Sequence, residues 1–132
     1  MVNSEQIVYD LLNDNLEDIL ITTDANLTPA TFPCITVEEI DNFTPTSYFD
    51  GANNDNYSAV SVQIDIYTMS KANGGGKKAQ ARSIFESVDA ILTNAGFRRT
   101  MASPVSFAEN TKYRFTIRYN ALISNDLQIY RR

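Results

Sequence analysis

The side chains able to do chemistry in this sequence are carboxylates, ammonium and guanidinium groups, one thiol, and the phenols of seven tyrosines, because the 132 residues include no histidine. That absence removes the commonest general base, the serine and cysteine triads that depend on it, and most catalytic zinc sites. The tightest carboxylate cluster, Glu38, Glu39 and Asp41, falls on one prospective strand and forms no oxygen-rich loop of the calcium type. Paired-carboxylate catalysis stays open in principle, but nothing in the spacing of sixteen acids selects a pair. Cys34 has no second cysteine to pair with and reads as a buried apolar thiol, which suits a reducing cytoplasm. No catalytic residue, metal ligand or cofactor is therefore assigned.

Two further patterns invite a functional reading. Gly74-Gly75-Gly76-Lys77-Lys78 suggests a phosphate loop, since glycine amides at a helix start bind phosphate. The match fails: the first glycine of GxxxxGK[ST] would fall at Lys71, and Lys78 stands where Ser or Thr should hold magnesium. A connector over 70–77 is the simpler reading. Lys77, Lys78 and Arg82 then occupy the first turns of a helix, where the macrodipole disfavours cations by about 0.3–1 kcal/mol. They are either solvated lysines and arginine or the counterpart of an acidic surface on the same chain or a neighbour. Near the C-terminus, Lys112, Arg114 and Arg118 alternate with Tyr113, Phe115 and Tyr119. Period-two geometry sends bases and aromatics to opposite faces of one strand, which opposes a mixed nucleic-acid platform on that strand.

The elements that position these residues divide the charge unevenly. Residues 1–70 hold twelve acids and no base, and residues 71–132 hold eleven bases and four acids, so the net −5 hides halves of −12 and +7. Both halves are rich in Ile, Val, Phe and Tyr, so neither is a polyelectrolyte tail. Asn3 or Ser4 can cap a helix carrying Ile7, Val8, Leu11, Leu12, Leu16 and Ile19 at helical spacing. Asp24, Asn26, Pro29 and Pro33 make a loop of 22–33. FPCITVEEI is a first strand, and Val60, Val62, Ile64 and Ile66 alternate with polar residues in a second. Between them Phe43, Tyr48, Phe49 and Tyr57 place aromatic surface on a long projecting hairpin or loop, 42–57, far longer than an ordinary hairpin connection. A helix from Lys77 to Asn94 stopped by Gly96, a short strand over 97–101, and an alternating strand over 112–123 complete the order α-β-β-α-β-β. This predicts a single α+β domain over 1–132, with one largely antiparallel sheet, both helices on its apolar face, a polar opposite face, and a short tail over 125–132. The start of the chain lacks the basic-then-apolar pattern of a secretory signal, and no apolar run is long enough to span a membrane. A soluble chain without membrane contact is the expectation.

From Ser4 to Ser124 these ordered features resemble the tail-completion or tail-terminator proteins of long-tailed bacteriophages, which join tail to head. The resemblance is carried by FPCITVEEIDN after the first helix, the strand VSVQIDIYTMS, the connector KANGGGKK, the helix AQARSIFESVDAILTNAGFRRT and the closing strand KYRFTIRYNALI. It implies a non-enzymatic virion protein that assembles in the host cytoplasm as a sixfold ring at the head-proximal end of the tail. Its partners would be its own copies, the tail-tube protein and the head connector, with DNA only passing through the channel. The candidate contacts are Phe43, Tyr48, Phe49, Tyr57, Lys77, Lys78 and Arg82. Other neck or tail-tube components share this pattern. A small ligand-binding or enzymatic α+β domain, with a pocket between helices and sheet, is the alternative from another class.

Overall fold

The stretch with the strictest alternation, VSVQIDIYTM, becomes the middle of a five-stranded sheet. The computed structural model of the chain describes residues 3–16, 19–23, 33–43, 57–69, 76–105, 112–124 and 129. In chain order the elements are helix α1 (Ser4–Asn15), strands β1 (Leu20–Thr22), β2 (Cys34–Phe43) and β3 (Tyr57–Met69), helix α2 (Lys77–Ala95), and strands β4 (Arg98–Val105) and β5 (Lys112–Ser124). They lie side by side as β1-β2-β3-β5-β4. β1 runs parallel to β2, and every other neighbouring pair is antiparallel. The expected α+β class holds, with one element added to the expected order: the loop assigned to 22–33 is preceded by the short strand β1.

β3 pairs with β5 from Tyr57 opposite Ser124 to Met69 opposite Lys112. Val60, Val62, Ile64 and Ile66 share a face with Tyr119 and Ile117, and both helices contribute to the same core. Val8 and Leu12 come from α1, and Ala81, Ile84, Val88 and Leu92 from the buried stripe of α2. Each large aliphatic side chain removed from water contributes about 1.5–3 kcal/mol.

The helix ends have local causes. The Asn3 side chain accepts the Gln6 amide at 3.2 Å, as the sequence suggests. α1 is shorter than expected: the Asn15 side chain donates to the Leu11 carbonyl at 2.7 Å, and Leu16 is extended at φ −119, ψ 133. Leu16 and Ile19 therefore reach the core from outside the helix, and their helical spacing does not mark its continuation. α2 ends where Gly96 adopts φ 113, with the Phe97 amide donating to the Leu92 carbonyl at 2.9 Å. This left-handed stop is the one glycine was expected to supply.

Two strands run further than the sequence reading had them. β2 runs on to Phe43 through a bulge between Glu39 and Asp41. The bulge also anchors α1: the Ser4 amide and hydroxyl donate to the Glu39 carboxylate, and the Glu39 amide donates to Glu5 Oε2 at 2.8 Å. β4 extends to Val105, and α2 begins at Lys77, the start expected for that helix. Within the expected tail, Ile129 forms a bridge to Ile123 and packs against the core. The connector residues 70–75 and the loop residues 24–32 lie outside the described residues.

Candidate functional site

The outer face of the sheet, opposite the helices, carries a ladder of paired polar groups. Asp65 is only 5% exposed. Its carboxylate accepts from Arg114 Nε at 3.1 Å, from Gln63 Nε2 at 3.2 Å, and from the Thr116 hydroxyl. Arg118 Nε donates to Gln63 Oε1 at 3.1 Å, and the Ser61 hydroxyl to Asn120 Oδ1 at 2.7 Å. Burial opposes the charge on Arg114, but its hydrogen bond to Asp65 and the charge of that carboxylate outweigh burial and raise its pKa. Arg114 and Arg118 face away from Tyr113 and Phe115, as period-two geometry requires, and are engaged within the sheet. The face is polar as expected, yet its Cys34, Thr36, Asp65, Tyr67 and Thr116 portion is buried. Burial pushes the Cys34 thiol up, consistent with an inert thiol, and burial followed by the charge of Asp65 raises Tyr67.

A second arrangement lies on the helix side. Lys78, Ala79 and Arg82 of α2 and Tyr113 and Phe115 of β5 line a groove of about 280 Å³. Lys78 and Arg82 are exposed and one turn apart. Arg82 Nε is 3.7 Å from Glu86 Oε1, with both side chains well exposed, a pairing that contributes little. The floor is fixed from below: the Phe115 and Phe85 rings meet at 5.2 Å with a 59° tilt, and the Arg99 guanidinium lies 5.3 Å from the Phe85 centroid. Arg99 also pairs with Asp89 at 3.1 Å, and Asp89 accepts the Tyr119 hydroxyl at 2.8 Å. Burial, then the hydrogen bond to Asp89 and its charge, push the Tyr119 phenol far above the ordinary tyrosine value.

Of the seven predicted contact residues, those that are described fall into two groups at opposite ends of the sheet. Phe43 closes β2 and Tyr57 opens β3; their side chains, and the whole of Tyr48 and Phe49, lie outside the described residues. Lys77 begins α2 beside the far end of β3, where its carbonyl accepts the Thr68 hydroxyl at 2.8 Å. The span from Tyr57 to Met69 corresponds to about 40 Å of strand. Lys78 and Arg82 are thus joined in one groove to Tyr113 and Phe115, partly buried residues that pack against the core. Considering β5 alone missed this, because the cations come from a different element. The signal available was the pair of cations in the first turns of an amphipathic helix that had to cover an aromatic-rich strand.

Among the described residues, no three of Cys, Asp and Glu stand together as a metal site, and no helix is long and apolar enough to cross a membrane. In comparisons with known proteins, no family model matches the chain and no curated protein matches it.

Proposed function

We infer that the protein is a structural component of a bacteriophage virion, a tail terminator or tail-completion protein. Its copies join head to tail as a sixfold ring at the head-proximal end of the tail tube, and the ring stops tube growth and presents a surface to the head connector. The resemblance of the ordered segments supports this reading, and one structural observation carries it: the sheet is sorted by charge. β1, β2 and β3 hold Glu38, Glu39, Asp41 and Asp65 and no base, whereas β5 and β4 hold Lys112, Arg114, Arg118, Arg98 and Arg99 and no acid. The acidic helix α1 lies over β1, β2 and β3, and α2 over β3, β5 and β4. The acid-bearing strands therefore lie toward the β1 side of the sheet and the base-bearing strands toward the β4 side, an arrangement suited to a heterologous contact that closes a ring.

The test is genetic and visual. Replacing residues 44–56 with a short turn should leave a folded monomer while abolishing rings and tail joining, seen by electron microscopy as unjoined heads and tails of irregular length. Infectious particles in normal numbers from that variant would overturn the assignment. The alternative, a ligand-binding or enzymatic domain, has the groove in its favour; the described lining holds Lys78, Arg82 and Tyr113 and no carboxylate.

A further inference from the structure

We propose that the groove formed by Lys78, Arg82, Tyr113 and Phe115 is the socket for the β2–β3 connection of a second copy of this chain, received at Tyr48-Phe49-Asp50. The inference rests on the head-to-tail reading above and names the contact through which it operates.

Three observations select this occupant. The socket has aromatic walls and a cationic rim, so its complement is a segment that offers aromatic rings beside a carboxylate. In residues 44–56, TPTSYFDGANNDN, two aromatics stand directly before Asp50, and Asp55 follows without any base. An inserted ring would stack against Tyr113 and Phe115, while the carboxylate would meet Lys78 or Arg82 at a site where contact excludes water and strengthens the attraction.

The second observation is reach. Phe43 pairs with Ala59, and Phe115 with Ile66, so the groove lies seven residues along β3 from the point where the connection leaves. That is about 23 Å of strand. Phe49 is six residues beyond Phe43, about 20 Å at full extension, and the chain leaves the sheet heading away from the groove. To fill the socket of its own chain the segment would have to double back at nearly full extension, which favours the socket of another copy. A plug at one end of a sheet and its socket at the other form a heterologous pair, which joins copies in one direction.

The third observation is charge balance. A nucleic acid would also suit cations beside aromatics, but a chain of net charge −5 whose first seventy residues carry −12 repels a polyanion and supplies its own acids.

Plug-and-socket geometry makes a prediction that no symmetric contact shares. Lys78→Glu/Arg82→Glu removes the socket, and Tyr48→Ala/Phe49→Ala removes the plug. Each variant alone should sediment as a monomer, with self-association weakened at least tenfold relative to the unaltered chain and an unchanged far-ultraviolet circular dichroism spectrum. Mixed in equal amounts, the two retain one intact plug and one intact socket, and should form dimers that grow no further. Lys78→Gln/Arg82→Gln serves as the socket variant if charge reversal perturbs folding.

Oligomers of the socket variant indistinguishable from those of the unaltered chain would overturn the socket while leaving the ring reading standing. An unaltered chain that stays monomeric to millimolar concentration would overturn both. Saturable binding of a labelled single-stranded oligonucleotide, lost on Lys78→Glu/Arg82→Glu, would assign the groove to nucleic acid and overturn the proposal.

Discussion

Asp65 joins two roles that were separate in the sequence: a member of the acidic half, and the polar alternate of the most regular strand. In the sheet it lies opposite Thr36 and Thr116 and binds Arg114, so an acid from the negative half neutralises a base from the positive half inside the fold. Part of the charge split is therefore matched within the chain. Asp65→Asn should cost about 3 kcal/mol in urea unfolding, because the largely buried Arg114 loses its counter-charge. A loss below about 0.5 kcal/mol would show that solvent reaches this pair and that the ladder is not a stabilising network. Tyr119 is the second test at this scale. Its pKa, like those of Tyr67 and Cys34, is raised on folding. The folded state holds these protons more tightly than the unfolded chain. Their stabilisation is thus complete below the unfolded values of 9.0 for the thiol and 10.0 for the phenols, and is lost as pH rises above them. Stability should fall from about pH 9 upward, and Tyr119→Phe should flatten that fall while costing about 1 kcal/mol at neutral pH, where Asp89 loses one donor but keeps Arg99. An alkaline unfolding profile identical in the variant would remove Tyr119 as a contributor.

The helix–strand plan was legible wherever a period ran long enough to count. The sequence alternates from Val60 to Ile66 in β3 and from Lys112 to Ala121 in β5, and α2 carries its buried stripe between two glycines with positive φ. Gly96→Ala should destabilise the fold by about 1–2 kcal/mol in thermal or urea melts, since a side chain at φ 113 clashes where glycine does not. A neutral substitution would mean that the stop can form without the left-handed residue. What the sequence hid has equally local reasons. Three residues of β1 cannot display a period, and Ile21 is buried while Leu20 is 49% exposed. Leu16 and Ile19 fall at helical spacing by coincidence, because the core side of an extended segment accepts the same residues. The short strand expected over 97–101 runs on to Val105 because among the described residues β4 has β5 as its one strand neighbour, and on an edge strand Pro104 need not interrupt the ladder. The bulge at Glu39 breaks the alternation of β2, and only the tertiary contact with Ser4 and Glu5 shows why the chain tolerates it. The candidate site was legible in half: Lys78 and Arg82 could be singled out by their position against the helix dipole, but their aromatic neighbours could not, because a strand's inner face looks the same whether a helix covers it fully or leaves a groove.

At the scale of the whole molecule, the strand order turns a sequence asymmetry into a spatial one. Had β4 inserted between β2 and β3, the same residues would have interleaved their charges and the field would have been weak at both edges. The order β1-β2-β3-β5-β4 keeps each half contiguous, and the pair Asp65–Arg114, which joins the two halves, cancels only part of the surplus. Opposed edges attract over roughly a Debye length, about 10 Å at 0.1 M salt and about 3 Å at 1 M. Steering of this kind acts mainly on the rate of encounter, whereas the aromatic insertion holds the pair once docked. Raising salt from about 0.1 M to about 1 M should therefore slow association of the chain by about tenfold or more while changing dissociation much less, measured by stopped-flow light scattering at fixed protein concentration. Arg98→Glu, on the exposed basic edge and outside the groove, should lower the association rate and its salt dependence while leaving the dissociation rate nearly unchanged. Association rates indifferent to both salt and Arg98→Glu would show that the sorted sheet plays no part in bringing copies together, and that shape alone directs the contact.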